Sequence, residues 1–276
     1  MPRKPNMEPD TVINMTDCNP SDILSRYQRI QVRFENTGLA VGSYLCGNYF
    51  RNLCAAVTVS ELPTSYDLVL PILAQHDLPL LEEPRTQLLI REAQHLVVND
   101  PGMLMRLGGK ANVRLGRLFF RAYRDHRYPA YEQSMVKNDK LKTLVSALQK
   151  TGCKFSAVEC EMVGSADQIV ADERLNCYYH VPYRLISAIR ICEYASVGKP
   201  VDQKFLPDDQ CGFQCFYSHI EYPDVSFQNG YVKWGRGLYD RVSLIPLKGQ
   251  NLIIMPELFE GIADENHGST IYDREY

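Results

Sequence analysis

The sequence predicts an α+β fold, with a helix-rich first half that contains one ribbon-like strand and a strand-rich second half. Two observations support this division. Apolar residues recur at helical spacing in several segments up to residue 150, whereas short aromatic or β-branched runs dominate after residue 153. The predicted organisation is a polar arm at 1–25, a helix-rich basic region at 26–152 and a strand-rich acidic region at 153–276. The last two form either separate domains or one.

The first half is expected to contain one strand, at residues 28–35. Ile30, Val32 and Phe34 alternate there with polar residues, which is the period of a half-buried strand. Asn19 can cap a short helical turn before this strand. Pro84 suits the first turn of a helix. The other helices are predicted at residues 39–57, 66–76, 110–125 and 140–150.

The second half is expected to consist mainly of strands. The sequence Asn229-Gly230 is typical of a tight hairpin turn. One helix is predicted at 184–195. The predicted strands are residues 154–162, 177–183, 213–222, 231–239 and 252–255.

Composition and cysteine usage indicate a cytoplasmic protein. The beginning of the chain does not read as a signal peptide, and no apolar run approaches the roughly 18 residues of a membrane-spanning helix. The nine cysteines are odd in number and scattered, unlike the paired cysteines of secreted proteins. The sequence therefore predicts a reducing compartment and no membrane partner.

The net charge of −3 hides a strongly basic segment. Residues 102–157 carry 12 Lys/Arg against 3 Asp/Glu, a net charge of +9, between flanks of −4 and −8. Arg114, Arg117, Arg121 and Arg124 are spaced to form one stripe of a helix, where like charges repel unless anions face them. Phosphates are common partners of such arginines. Ion pairing with the acidic flanks and binding to a protein partner are the alternatives.

A second nucleic-acid contact is predicted on the strand at 28–35. Arg29, Gln31 and Arg33 would share its polar face, and a two-stranded ribbon can present such residues to bases in the major groove. The order strand, helix, helix is also that of a ribbon-helix-helix dimer. The alternative is an ordinary edge strand. The full set of predicted contact residues is Arg29, Gln31, Arg33, Arg106, Lys110, Arg114, Arg117, Arg121, Arg124, Arg127, Lys137, Lys140 and Lys142.

The chain resembles the AcaB-like regulators of conjugative elements in two places. One is the run Tyr66-Asp67-Leu68 continuing through Leu73, His76 and Leu80-Leu81; the other is Leu118-Phe119 with the residues from Arg124 to Tyr128. The resemblance covers residues 28–150 at most. It implies a ribbon-helix-helix-related transcriptional activator that acts on promoters of a mobile element.

No metal site, cofactor or catalytic motif is predicted. Cys211, Cys215 and His219 could begin a zinc site, but the second ligand pair is missing, and Cys192 or His180 would complete the site only if folding brought one of them near. The motifs of nucleotide-binding loops, zinc proteases and serine hydrolases are absent from the sequence.

The sequence therefore favours a DNA-binding transcriptional regulator that forms a homo-oligomer, with DNA preferred over RNA. One alternative is a subunit of a nucleoprotein or RNA-guided assembly, in which a basic groove follows phosphates. Another is an enzyme that acts on a phosphorylated substrate.

Overall fold

The structure is a computed structural model, and its centre is a closed barrel of eight parallel strands. The described residues are 11–32, 36–107, 109, 112–119, 139–150, 152–161, 175–189, 191–204, 211–222, 231–241 and 251–255. Around the barrel the strands follow the order β1, β12, β7, β6, β5, β4, β3, β2. The barrel strands are β1 (Thr11–Asn14), β2 (Thr37–Gly42), β3 (Tyr66–Leu70), β4 (His95–Val98), β5 (Val113–Leu115), β6 (Phe155–Cys160), β7 (Asn176–Val181) and β12 (Asn251–Ile254).

Helices connect several of the barrel strands, as parallel pairing requires. They are α1 (Ile23–Gln31), α2 (Gly47–Ala56), α3 (Pro84–Glu92), α4 (Pro101–Leu107), α5 (Asp139–Lys150) and the single turn α6 (Glu193–Ser196). Short 3-10 helices lie at Pro20–Asp22, Val59–Glu61, Gln75–Glu82, Val201–Gln203 and Gln214–Phe216. Among the described helices, none has both the length and the apolar character needed to cross a membrane.

A small antiparallel sheet accompanies the barrel. Its order is β8 (Tyr183–Ala188), β11 (Gly237–Arg241), β10 (Tyr231–Trp234) and β9 (Ile220–Tyr222). Pro182 alone separates β8 from β7, so the sheet begins where a barrel strand ends. Its apolar face contains Tyr183, Trp234 and Tyr239, which pack with Met255 at the end of β12.

Each barrel strand is buried on both faces. In β3, Leu68 and Leu70 belong to the large apolar cluster shared with the helices, whereas Val69 belongs to a separate cluster of strand residues that includes Val12, Val97 and Ile253. Successive side chains of a strand point to opposite faces, so the second cluster fills the barrel interior. Charged residues such as Asp67 share this inner face.

The predicted helix-rich first half is wrong. Five of the eight barrel strands precede residue 116. Helices were predicted at 39–57 and 66–76, but β2 and then α2 occupy the first segment, and β3 begins the second. Strands that are buried on both faces lose the alternating pattern that normally identifies them, so their continuous apolar runs resemble helices. The helix predicted at 184–195 is also wrong, because β8 occupies its first half.

The predicted ribbon strand at 28–35 is likewise wrong. Residues 23–31 form α1, with Ile23, Tyr27 and Ile30 buried at spacings of four and three. Val32, expected on a buried face, is 79% exposed just beyond the helix. The ribbon-helix-helix order implied by the resemblance to AcaB-like regulators is therefore not the fold of this segment.

Other predicted elements are present. The helix expected at Pro84 is α3, and the helix expected at 140–150 is α5. Strands β6, β7 and β12 lie where three strands were predicted. Asn19 caps the first 3-10 helix through its side chain. The predicted turn at Asn229-Gly230 lies outside the described residues. Barrel strands on both sides of residue 152 pair with one another.

Candidate active site at the carboxyl end of the barrel

The arginines of the predicted helical stripe lie in different surroundings from those expected. Arg114 is the middle residue of β5, and Arg117 follows that strand; both are fully buried. Their spacing of three therefore does not mark an exposed helical face. Arg121, Arg124, Arg127, Lys110, Lys137 and Arg33 lie outside the described residues, as do the side chains of Lys140 and Lys142 in α5. Arg29 and Arg106 are exposed, and Gln31 is partly buried.

Arg114 is held inside the barrel by groups from four neighbouring strands. Its Nη1 lies 2.8 Å from Oδ2 of Asp67 on β3 and 3.7 Å from Oε1 of Glu159 on β6. Nδ1 of His95 lies 2.8 Å from the other oxygen of Asp67. The guanidinium carbon stands 3.9 Å from the ring centre of Tyr178 on β7. The Arg114 charge is thus compensated within the chain.

Arg117 forms a second buried ion pair, at the carboxyl end of the strands. Its Nε and Nη2 donate to the two oxygens of Glu161 over 2.5 and 2.6 Å, a bidentate geometry. Nη2 also lies 3.3 Å from the Tyr183 carbonyl. One Glu161 oxygen accepts the backbone N–H of Leu185. This pair therefore fixes the start of β8 to the end of β6.

Glu159 is paired with Arg114 less closely than Asp67 is. Asp67 lies 2.8 Å from a guanidinium nitrogen, whereas Glu159 lies 3.7 Å from the same nitrogen. Burial raises the pKa of Glu159 to about 7, although Arg114 opposes the shift. His180 Nε2 lies 3.1 Å from its Oε2, and burial followed by the charge of Arg117 lowers the pKa of His180. A carboxyl group in this environment can exchange a proton near neutral pH.

A tight turn after β2 extends this polar region to the surface of the barrel end. Ser43 Oγ accepts backbone N–H groups of Leu45 (3.1 Å) and Cys46 (2.8 Å). Its hydroxyl hydrogen is thereby left for Asp17, with which the Ser43 side chain is also hydrogen-bonded. Asp17 has a left-handed backbone (φ 61°), and burial raises its pKa to about 7. Such strained polar residues are enriched at functional sites.

Four cysteines gather beside this turn, from three separate segments of the chain. Cys46 is the N-cap of α2, and Cys192 precedes α6. Cys215 lies within the 3-10 helix at Gln214–Phe216, and Cys211 comes three residues before that helix. Cys46, Cys192 and Cys211 each act electrostatically on the Cys215 thiol, raising its pKa together with the larger effect of burial. Burial also raises the pKa of Cys46 to about 12.

Direct contacts hold the three segments together. The Tyr49 ring of α2 packs edge-on against Phe216, with ring centres 5.7 Å apart. The Tyr194 hydroxyl donates to the Ser218 carbonyl over 3.0 Å. Trp234 Nε1 of the small sheet donates to the Cys215 carbonyl over 2.7 Å. The proximity of the four cysteines therefore follows from packing between the barrel end and the small sheet.

The other five cysteines differ from these four. Cys18, Cys54, Cys153, Cys160 and Cys177 are buried in the large apolar cluster, whereas the four gathered cysteines are partly exposed. None of the nine, all of which lie in the described residues, forms a disulfide. Four partly accessible thiols at one place have the composition of a four-thiolate metal site.

Sequence reasoning singled out part of this cysteine group but predicted no metal site. The spacing of Cys211 and Cys215 with His219 drew attention to them, and Cys192 or His180 was named only as a ligand that could complete such a site. His219, the other candidate, is instead near Glu221, at 3.3 Å. Cys46 was missed because its segment was predicted to be one long helix, so nothing placed it at a strand end. No family model matches the chain, and neither a curated protein nor a solved structure matches it. The resemblance to AcaB-like regulators thus gains no support.

Proposed function

We propose that this protein is an iron–sulfur redox enzyme, with a cluster bound by Cys46, Cys192, Cys211 and Cys215 at the carboxyl end of the barrel. The observation that carries the proposal is the gathering of four partly exposed cysteines from three segments at that end. Barrels of parallel strands and helices carry their chemistry at this end in essentially every characterised enzyme. A reducing cytoplasm, which the cysteine usage predicts, would keep the thiols available to iron.

The proposal is of a cluster and not of a single ion. Among the residues that the structure describes, no three His, Cys, Asp or Glu side chains are arranged to share one metal ion. Zinc requires each sulfur within about 2.3 Å of the ion, so its four ligands must crowd together. A cluster of several iron atoms spreads its thiolate ligands further apart.

The surroundings of Cys46 also suit a cluster ligand. Its sulfur accepts the backbone N–H of Tyr49 over 3.4 Å at the beginning of α2. Hydrogen bonds to the sulfurs and limited solvent exposure are among the factors that set cluster reduction potentials. Burial keeps this thiol protonated when no cation is near, and binding of a metal would deprotonate it.

Iron content is the direct test of the cluster. Protein purified or reconstituted without oxygen is expected to hold about four iron atoms per chain, the number in a Cys₄-bound [4Fe–4S] cluster. Cys46→Ser and Cys215→Ser should each lose most of that iron and the accompanying visible absorption. Cys153→Ala, which changes a cysteine of the apolar cluster, should retain it. Wild-type protein with no more iron than the two serine variants would refute the proposal.

We also propose nucleic-acid binding as a second function, because a groove opens at the opposite, amino-terminal end of the strands. It encloses about 1050 Å³ between α3, α4 and the beginnings of β5 and β6. Arg91, Arg106 and Lys154 line it, with Glu82 as an acidic neighbour that pairs with Arg106. Gln94 and Asn112 add amide groups that can hydrogen-bond to bases. The preference for DNA and the homo-oligomeric state stay predictions.

A salt titration tests this second function. The double variant Arg91→Gln/Lys154→Gln should weaken binding to single-stranded RNA and DNA of every sequence. The slope of log affinity against log salt should fall by roughly 0.7 per lost phosphate contact, about 1.4 in all. Arg26→Gln, on α1 and outside the groove lining, is the control and should leave affinity unchanged. If the folded double variant shows the same slope of log affinity against log salt as the wild type, the groove is not the nucleic-acid-binding site.

A further inference from the structure

Arg236 lies in the turn between β10 and β11 and links two loops that are far apart in the sequence. Its Nε donates to the Ile189 carbonyl and its Nη1 to the Leu45 carbonyl, each over 3.2 Å. The Ile189 N–H in turn donates to the Arg236 carbonyl over 2.9 Å. The residue is therefore fixed at both its backbone and its side chain.

Both of the linked loops carry a cysteine of the proposed cluster site. Leu45 immediately precedes Cys46, and Ile189 stands three residues before Cys192. The Leu45 side chain packs against the apolar cluster of the small sheet and also against the barrel interior. One guanidinium group thus bridges the two loops through a hydrogen bond to each.

The charge of Arg236 also acts on this region. Its guanidinium is hydrogen-bonded to the carbonyl of Leu45, the residue before Cys46, so a positive charge stands beside the thiol site. A planar guanidinium can direct two N–H groups to two carbonyl oxygens at once, which a lysine ammonium on a flexible stem does poorly. A lysine variant keeps the positive charge but loses the paired contact with two carbonyl groups, so it separates the effect of the charge from the positioning of the loops.

We propose that Arg236 is a positioning residue for the thiol site. It holds the Cys46 and Cys192 loops together through the Leu45 and Ile189 carbonyls, and its positive charge would raise the reduction potential of a cluster bound there. The inference rests on the proposed function for the cluster, whereas the positioning of the two loops can be measured without any metal.

The test compares Arg236→Gln and Arg236→Lys with Arg184→Gln. Arg184 forms an ion pair with Asp240 in the same small sheet, at 2.9 Å, and so controls for general loosening of that sheet. Iron release to a chelator should be roughly 10–100-fold faster in both Arg236 variants, the usual effect of losing a group that supports metal ligands. The midpoint potential should fall in Arg236→Gln and stay near that of the wild type in Arg236→Lys.

Hydrogen exchange of the metal-free proteins gives the second measurement. Amides of residues 43–50 and 187–196 should exchange faster in both Arg236 variants than in the wild type or Arg184→Gln. Wild-type protein that binds no iron, together with faster exchange in these segments, would refute the cluster but support the positioning role. Unchanged exchange, or iron release and potential equal to those of the wild type, would overturn the inference about Arg236.

Discussion

Replacing Arg117 with Met is expected to lower the free energy of unfolding by about 3–5 kcal/mol, the usual cost of breaking a buried ion pair. The Glu161 carboxylate would remain inside the barrel without the guanidinium that now binds both of its oxygens. Methionine fills similar volume, so little of the loss would come from a cavity. Urea denaturation with an unchanged m-value would measure the loss as a stability effect.

The double variant Arg117→Met/Glu161→Gln is the matched control for this prediction. It removes both charges and keeps an oxygen that can accept the Leu185 N–H, which now binds Glu161 over 2.8 Å. Most of the lost stability should return, because the cost arises from the unpaired charge and not from the missing attraction. Equal losses in the single and double variants would show that Arg117 stabilises the barrel mainly by packing.

The second large effect is expected from Gly42→Ala, at the end of β2. The backbone there has φ +115°, and a Cβ atom would lie 2.1 Å from the Val69 carbonyl oxygen on β3. The left-handed conformation costs about 1–2 kcal/mol for an alanine, and overpacking adds about 1–3 kcal/mol. We expect the free energy of unfolding to fall by roughly 2–5 kcal/mol.

Gly152→Ala separates the two causes of this loss. Gly152 also has a positive φ (+80°), but a Cβ atom there meets nothing within 4 Å. It should therefore show only the conformational cost of about 1–2 kcal/mol. Thermal or urea unfolding of both variants provides the comparison. Losses of equal size would mean that β2 and β3 move apart without resistance at this point.

The elements that could be predicted from the sequence are those with one buried and one exposed face, because apolar and polar residues then alternate regularly along the chain. The stripe at Leu141, Leu144, Val145 and Leu148 predicted α5 because the other side of that helix is polar. The first five barrel strands carry no such contrast. In β3 and β5, the buried charges of Asp67 and Arg114 even suggest solvent-exposed positions. Asp67 and Arg114 can be buried because other strands of the closed barrel supply their charged partners. The local sequence of β3 or β5 does not show those partners, so it could not reveal that the two residues are buried.

The candidate site was predictable only where its residues are close in sequence. Cys211 and Cys215 drew attention through their spacing, whereas Cys46, after β2, and Cys192, after β8, reach them only through packing between the barrel end and the small sheet. A spacing of three residues is compatible with one face of a helix. In the structure, however, Arg114 lies within β5 and Arg117 comes two residues after the end of that strand. Local spacing cannot distinguish these cases, since the difference lies in pairing with distant strands.

The pairing of β12 between β1 and β7 has a consequence for how the chain folds. During synthesis β12 leaves the ribosome after the other seven barrel strands, yet its Ile253 must align with Val12 on one side and His180 on the other. Until it arrives, β1 and β7 both present unpaired backbone edges, which are templates for association with other chains. Contacts so distant in sequence also slow folding. An open sheet formed before β12 pairs would therefore expose two edges at which other chains could associate.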